Sequence, residues 1–216
     1  MAKNIYFNLS SINLVALMCS RICHDIISPI GAIHNSLELL DEVGVEDEAM
    51  QLIRLSSMNA IIRLKFIRLA FGYSGSVHSS VCLEDIKQII KEFVSIDKRV
   101  QVFWKSDVID ISREKSKLLL NIFMVAYASI PRGGVVTISI NNSKTDNIFS
   151  LKINGKSVRL PEKFIQIING NEDIQIDSHD VQFYYAVLLA NDNKMKILYE
   201  NIDHRNVSLS LLEKYK

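Results

Sequence analysis

A histidine stands in the middle of a long helical pattern near the start of the chain, on the side that carries small and polar residues. That side of the predicted helix comprises Asn13, Ser20, Arg21, His24, Ser28, Gly31 and Asn35. The neutral form of an imidazole is well populated near pH 7, and its free nitrogen can attack phosphorus in line. Because the neighbours of His24 are small enough for another protein to approach it, His24 fits a histidine that accepts a phosphoryl group.

Three neighbours strengthen this interpretation of His24. Asp25 could hold one ring nitrogen as its N–H and thereby fix the tautomer. Arg21, one helical turn earlier, could offset negative charge placed on the ring. A lone exposed histidine is ordinary, but Pro29, five residues later, removes a helical hydrogen bond and induces a kink, a cost that something must compensate.

The remaining histidines and the cysteines lack such a context. Three cysteines cannot form a closed disulfide framework, which suggests a reducing compartment. A metal site of Cys19, Cys23 and His24 is disfavoured because Cys19 falls on the apolar face and His24 nearly opposite, so we interpret both cysteines as core and flank packing. No role is assigned to His34, His78, His179 and His204.

Two helical patterns open the chain. In the first pattern, the following residues recur every three or four positions, which places them on one helix face and predicts a buried stripe: Val15, Met18, Cys19, Ile22, Ile26, Pro29, Ile30, Ile33, Leu37 and Leu40. After a turn around Gly44 the spacing returns at Ala49, Ile53, Ser56, Ala60, Leu64, Ile67 and Phe71. Two helices alone bury too little surface, so this hairpin, residues 1–73, should pair with a second copy or pack on the rest of its chain. We favour a dimeric four-helix bundle.

A second domain follows the small, polar residues 74–80, which make the best linker in the sequence. Within residues 81–216 we predict helices at 83–94, 112–129, 161–168 and 180–191, and strands at 100–105, 135–141, 148–154, 194–200 and 206–212. Strands joined as hairpins, as across residues 141–147, indicate a mixed or antiparallel sheet with helices on one face. The predicted fold class is therefore α+β, a helical hairpin followed by an α/β sandwich.

Composition narrows the function classes. The chain has 216 residues, and its 25 Lys and Arg nearly balance its 24 Asp and Glu, which disfavours nucleic acid or an anionic membrane as a partner. The apolar run at residues 14–19 is interrupted by Arg21, His24 and Asp25 before a cleavage site appears. No stretch of about 18 uninterrupted apolar residues occurs, so we expect no membrane span and a cytoplasmic location.

Several segments together resemble one family. Residues 23–33, CHDIISPIGAI, resemble the H-box of sensor histidine kinases, in which the phosphorylated histidine is followed by an acid and, five residues later, by proline. Together with residues 66–72 and 120–135, they make nearly the whole chain similar to the ChpT-type histidine phosphotransferases of alphaproteobacterial cell-cycle phosphorelays. The resemblance implies a bundle like the dimerisation and histidine-phosphotransfer (DHp) domain of kinases, followed by a degenerate kinase ATPase-like domain.

The three elements with which a kinase binds nucleotide are altered in this sequence. Kinases hold Mg²⁺ through the second Asn of an N-x-x-x-N-A helix, but here Asn121 is followed by Val125, which cannot coordinate a hard cation. The Asp-x-Gly-x-Gly element that reads adenine is KINGK at residues 152–156, without an acid. The glycine-rich lid is DSHDV at residues 177–181, with two carboxylates that would repel phosphates. We therefore expect neither ATP nor a metal or other cofactor in this chain.

The resemblance also implies partners and roles. The phosphoryl donor would be the receiver aspartate of a hybrid histidine kinase, and the recipients would be receiver domains of CtrA-like and CpdR-like response regulators, each supplying its own Mg²⁺. The predicted reaction site comprises Arg21, His24, Asp25 and Ser28, with Ile27 and Gly31 as receiver contacts and Pro29 as the helix kink. Two alternatives stay open: an ATP-dependent sensor histidine kinase and a non-catalytic scaffold that binds receivers.

Overall fold

The chain begins with a pair of long helices. The computed structural model describes residues 9–40, 44–72, 80–141, 149–171 and 174–213. Helix α1 (Ser11–Leu39) packs along α2 (Glu46–Phe71), as the predicted hairpin requires. Ser10 caps α1, because its hydroxyl accepts a hydrogen bond from the Asn13 amide at 3.2 Å. The first turn of α2 carries three acidic residues, which favour the positive end of the helix dipole.

Strands and shorter helices alternate after the hairpin. In the described residues they are β1 (Ser80–Cys82), α3 (Leu83–Ser95), β2 (Val100–Lys105), β3 (Asp110–Ser112), α4 (Arg113–Ala128), β4 (Gly134–Ile140), β5 (Phe149–Gly155), α5 (Glu162–Ile168), α6 (Val181–Asp192), β6 (Met195–Asp203) and β7 (Asn206–Glu213). The main sheet has the order β2-β4-β5-β7-β6. Strands β2 and β4 run parallel, and the other neighbours run antiparallel. A separate antiparallel pair, β1 and β3, joins the two segments that lead into α3 and α4.

The main sheet buries one face under the helices. Val136, Leu151 and Leu209 are fully buried or nearly so, whereas their sequence neighbours Lys152 and Ser208 point to the other, more exposed face. This alternation is the period of two that a half-buried strand requires. The predicted fold class, α+β with an N-terminal helical hairpin followed by a mixed sheet with helices on one face, is confirmed.

The second half of α2 belongs to the same hydrophobic core as the sheet. Ile62, Phe66 and Ala70 are buried together with residues of α3 and α4. The ring of Phe66 lies 4.6 Å from that of Phe93 between centroids. The predicted linker, residues 74–80, lies outside the described residues except for Ser80, and the domain boundaries at 73 and 81 stay predictions. The hairpin and the second domain nevertheless share one core.

The buried stripe predicted for α1 is wrong for a single chain. Helix α1 buries Met18 and Pro29 from that stripe, but Val15, Ile30 and Leu37 are half exposed or more. Cys19 and Cys23, interpreted as packing residues, are exposed as well, and so is Leu64 in the corresponding stripe of α2. The apolar spacing predicted the helices correctly but not what covers them, because a single neighbouring helix covers only part of so wide a stripe.

Helix α1 is long and apolar enough to cross a membrane, judged by length and composition alone. One 18-residue stretch of it has a mean hydropathy of 1.3, and 6% of that stretch is buried in this chain. Core helices of soluble proteins and signal sequences pass the same test. The middle of α1 carries Arg21, His24 and Asp25, which are costly at the centre of a bilayer.

Candidate functional site

Helix α1 holds His24 near its middle, on the side that faces away from the exposed apolar residues Val15, Ile30 and Leu37. The His24 side chain is 65% exposed, whereas those of Asp25 and Arg21 are 18% and 21% exposed. Residues three and four positions apart on a helix lie close enough for their side chains to meet, as Arg21 does with Asp25. His24 is therefore open to another protein, and the two charged residues beside it are sheltered.

Asp25 uses both of its carboxylate oxygens at this site. Its Oδ2 accepts a hydrogen bond from Arg21 Nε at 2.9 Å. Its Oδ1 lies 3.4 Å from Nδ1 of His24, the outer limit of a hydrogen bond. With the ring proton on Nδ1, Nε2 carries the free lone pair. The arrangement thus offers one nucleophilic nitrogen to the outside.

The next two turns of α1 contain the other predicted site residues. Ile27 is 66% exposed and Ser28 is exposed too. A Cβ added to Gly31 would have no described atom within 4 Å, apart from its chain neighbours and the backbone of its own helix. Pro29 is buried inside the helix and has no N–H to donate to the Asp25 carbonyl. An accessible surface therefore extends from His24 along the helix.

A second histidine contacts His24, and the sequence analysis missed it. The ring of His179 lies 5.2 Å from that of His24 between centroids, at an interplanar angle of 79°. His179 precedes α6 and is separated from His24 by more than 150 positions, so no spacing rule pairs the two residues. The available signal was its place in the segment that corresponds to the kinase lid.

A cavity of about 390 Å³ continues inward from this site, between the hairpin and the second domain. Arg21, Asp25 and His179 line it on the side of His24, together with Arg63 of α2. Aromatic side chains, among them Phe66, form much of the remaining wall. The cavity has an apolar interior and a charged rim.

Asp97, Arg99 and Tyr127 form a hydrogen-bonded cluster at another wall of this cavity. The Asp97 carboxylate accepts hydrogen bonds from the Tyr127 hydroxyl and from Arg99 Nη2, the latter at 2.7 Å. Burial raises the pKa of Asp97, but these hydrogen bonds outweigh burial and place the pKa below its ordinary value of 3.8. Burial, followed by the bond to Asp97, raises the pKa of Tyr127. The cluster ties the loop after α3 to α4.

The asparagine that corresponds to the kinase magnesium helix has a structural contact at each end of its amide. Asn121 is fully buried, and its Nδ2 donates to the carbonyls of Ala70 at 3.0 Å and Lys117 at 2.9 Å. Its Oδ1 accepts a hydrogen bond from Gln182 Nε2 at 3.1 Å. Val125, at the metal-ligand position, is also fully buried. Asn121 therefore joins α2, α4 and α6.

The two other altered nucleotide elements also make contacts within the chain. Asn154, at the position of the adenine-reading element, donates from Nδ2 to Asn206 Oδ1 at 2.7 Å. In the lid-like segment, Asp177 Oδ1 accepts hydrogen bonds from the amides of His179 at 2.7 Å and Asp180 at 2.9 Å. Led by the bond from Asp180, these contacts lower the pKa of Asp177. The segment thus forms a closed turn that precedes α6.

The family follows from a match to the second domain. Residues 83–205, more than half of the chain, match the family described as the histidine phosphotransferase C-terminal domain. The chain belongs to this family. The protein phosphotransferase ChpT of Brucella abortus (strain 2308) is 42% identical over 190 residues, which cover 88% of this chain and 90% of that protein. The resemblance to ChpT-type histidine phosphotransferases is thereby confirmed.

One solved structure has the same fold as this family member. A bacterial phosphotransferase determined at 1.7 Å is 39% identical and superimposes with a TM-score of 0.86, over 96% of this chain and all of that one. The histidine kinase ThkA in complex with its response regulator TrrA gives a TM-score of 0.48 at 14% identity, too distant to argue from. The fold is therefore that of a histidine phosphotransferase over nearly its whole length.

Proposed function

We propose that this protein relays phosphoryl groups through His24, taking them from a receiver aspartate and passing them to another. The observation that carries this proposal is the exposed imidazole of His24, with Nδ1 beside Asp25, in a chain of the histidine phosphotransferase family. Phosphoryl transfer needs in-line alignment and charge neutralisation more than covalent chemistry from the protein. An exposed nucleophile on a rigid helix meets the first requirement.

The transfer step can be written with its charges balanced. The lone pair of His24 Nε2 attacks the phosphorus of a receiver acyl phosphate, the N–P bond forms, and the P–O bond electrons leave with the receiver carboxylate. The ring, still protonated on Nδ1, gains positive charge, which the adjacent Asp25 carboxylate offsets. Delivery to the next receiver reverses these steps. In this scheme Arg21 orients Asp25 through their 2.9 Å hydrogen bond.

The surface around His24 fits the docking of a receiver domain. Ile27, Ser28 and Gly31 lie within two turns after His24 and offer a small, partly apolar strip. By similarity to the ChpT-type proteins, the donor is the receiver of a hybrid histidine kinase in a cell-cycle phosphorelay. The acceptors are receivers of CtrA-like and CpdR-like response regulators in the cytoplasm. Each receiver supplies the Mg²⁺ for its own transfer.

The contacts made by the kinase-like magnesium helix of the second domain support a phosphoryl donor other than ATP. The Asn121 amide is hydrogen-bonded to Ala70, Lys117 and Gln182, and the metal-ligand position of the motif is the buried Val125. These residues do not fit a nucleotide-bound Mg²⁺, whose ligands are oxygen atoms open to the metal. These contacts support the proposal that this phosphotransferase does not use ATP.

The exposed apolar residues of the hairpin support a homodimer. Along α2 they recur at every third position, each 48–58% exposed: Leu52, Leu55, Met58, Ile61 and Leu64. On α1, Val15, Ile30 and Leu37 lie about 120–180° around the helix from His24. An apolar surface of this extent marks an interaction site, and a second hairpin would complete a four-helix bundle. His24 would stay accessible in that dimer.

Transfer from a labelled receiver tests the proposal directly. A receiver domain phosphorylated with ³²P on its aspartate is mixed with the wild-type protein, with His24→Ala and with His34→Ala, which removes an exposed histidine from the same helix. We expect label on the wild type and on His34→Ala and a loss of at least a hundredfold on His24→Ala. Equal labelling of His24→Ala would show that another residue is the acceptor.

Two further arms separate the alternatives. Incubation of the protein alone with labelled ATP and Mg²⁺ should give no phosphorylation, whereas a sensor histidine kinase would label itself. Receiver binding without transfer to any variant would identify a non-catalytic scaffold. Detection of acid-labile, base-stable label on the wild type distinguishes phosphohistidine from a phosphoester.

A further inference from the structure

The contact between His179 and His24 has the geometry of an aromatic pair. Their ring centroids are 5.2 Å apart and the rings meet nearly at a right angle. An edge-to-face arrangement at this distance is attractive, because the positive edge of one ring meets the negative face of the other. The contact joins His179 of the second domain to His24, the proposed nucleophile on the hairpin.

The backbone at His179 is held in place from two sides. Asp177 Oδ1 accepts hydrogen bonds from the His179 and Asp180 amides, which closes the turn before α6. One turn into α6, Gln182 is buried and bonds to Asn121, which in turn bonds to the Ala70 carbonyl of α2. His179 is therefore delivered to His24 by a segment anchored to the same hairpin that carries His24.

His24 needs such a neighbour. An exposed side chain on a helix samples several rotamers, and the 3.4 Å approach of Nδ1 to Asp25 is too long to fix the ring by itself. In-line attack requires one ring orientation, because a nucleophile that points elsewhere does not react. The hydrogen bond from Arg21 orients the carboxylate of Asp25 but does not touch the imidazole.

We propose that His179 is a positioning residue, whose ring packs edge to face on His24 and holds the imidazole with Nδ1 toward Asp25 and Nε2 toward the incoming phosphorus. This inference rests on the proposed role of His24 as phosphoacceptor. The segment that corresponds to the nucleotide lid of a kinase serves here to orient the histidine. Arg21 and Arg63, which line the cavity beside the two rings, are not required for a ring contact.

Two substitutions at this position separate the ring contact from any charge or proton transfer. His179→Ala removes the ring, and His179→Phe keeps an aromatic edge and face without a titratable group. His204→Ala is the matched control, since it removes another exposed histidine from the second domain. His179 is itself exposed, so its loss should lower the melting temperature by only about 1–6 °C, the equivalent of one aromatic pair, which a melting curve checks.

The experiment measures transfer from a phosphorylated receiver at increasing receiver concentration. We expect the maximal rate for His179→Ala to fall about two- to tenfold, the rate equivalent of one lost aromatic pair, with an unchanged half-saturating concentration. His179→Phe and His204→Ala should transfer at wild-type rates. In ¹H–¹³C spectra the ring protons of His24 should lose a ring-current shift in His179→Ala and retain it in His179→Phe.

The inference would be overturned by wild-type transfer by His179→Ala, by equal loss in His179→Phe and His179→Ala, or by a His24 spectrum insensitive to both changes. A change in the half-saturating concentration alone would instead make His179 a docking residue and also overturn it. If His24→Ala accepts label as well as the wild type does, the proposed function itself fails. If His24 is labelled normally in every His179 variant, only this inference fails.

Discussion

Around His24, the arginine that the sequence suggested as a partner for the phosphoryl group bonds to the neighbouring acid instead. Arg21 donates to Asp25, and Asp25 reaches the His24 ring with its other oxygen. A carboxylate held by a guanidinium keeps its charge and its direction. In the proposed mechanism, Arg21 orients the Asp25 carboxylate, and Asp25 and His179 together orient the His24 ring.

Gly31 provides a test at the scale of one residue. No described neighbour blocks a Cβ on Gly31, and alanine favours a helix by up to about 1 kcal/mol relative to glycine. We expect Gly31→Ala to keep or raise the free energy of unfolding in urea and to weaken receiver binding in calorimetry, because the added methyl group occupies the docking strip. Unchanged receiver affinity would remove Gly31 from the docking surface.

The difference between His24 and His179 shows what the sequence could predict at this scale. His24 lies in a local pattern, with an acid at the next position and a proline five positions later, and helix geometry fixes its side of α1. The contact with His179 depends on where α6 packs against α1, which no local spacing encodes. Local patterns thus predict a candidate nucleophile but not the residues that fold against it.

Among the elements, α2, α4 and α6 meet at one buried amide. Asn121 sits in an otherwise apolar stretch of α4 and bonds to the carbonyl of Ala70 and to the side chain of Gln182. A buried polar group left without its partner costs more than an ordinary hydrogen bond contributes. The junction therefore selects a single arrangement of the three helices.

Removal of this amide should destabilise the protein. Asn121→Ala leaves Gln182 without its acceptor and creates a cavity, and we expect the free energy of unfolding in urea to fall by about 2–4 kcal/mol. Asn154→Ala, which removes one exposed hydrogen bond to Asn206, is the control and should cost about 1 kcal/mol or less. Equal losses in the two variants would contradict the role of Asn121 as a junction.

The lowered pKa of Asp97 predicts that the free energy of unfolding depends on pH. Its pKa is lower in the folded chain than its ordinary value of 3.8, so its contribution to stability is complete above that value and is lost as the pH falls through the folded pKa. The difference in unfolding free energy between the wild type and Asp97→Asn, from urea titrations between pH 7 and pH 3, should therefore stay constant down to about pH 4 and shrink below it. Tyr127→Phe, which removes one donor to Asp97, should reduce the effect.

The elements themselves were largely predictable, with two instructive exceptions. Strand β5 and helix α3 begin and end within about two residues of their predicted bounds, because alternating and helical spacings are strong in them. Strands β1 and β3 were missed, since three residues do not establish a period. The stripe of α1 was misjudged because spacing indicates an apolar face without saying whether its own chain covers it.

For the whole molecule, the two sides of the hairpin have different surfaces. The apolar residues Val15, Ile30 and Leu37 lie on the far side of α1 from His24, and α2 adds the exposed series from Leu52 to Leu64. A partner hairpin on this side would leave the polar side of α1 in solvent. Self-association and phosphotransfer would then use separate surfaces.

A charged side chain placed in the exposed apolar series of α2 should separate the two protomers of the proposed dimer. We expect Leu55→Glu to sediment as a monomer at concentrations where the wild type is a dimer, because the dimer would have to bury a carboxylate without a partner. Asn35→Glu adds the same charge at an exposed position on the polar side of α1 and should remain dimeric. A monomeric wild type at tens of micromolar would refute the four-helix bundle.

The core shared by α2 and the sheet has a consequence for the energetics of association. Ile62, Phe66 and Ala70 pack among the side chains of α3 and α4, so the orientation of the second domain against the hairpin is set before any partner arrives. A ligand that touches both units meets a preorganised template, and little conformational entropy is lost on complex formation. For the proposed relay, the affinity of each receiver would then depend on its few direct contacts with this template.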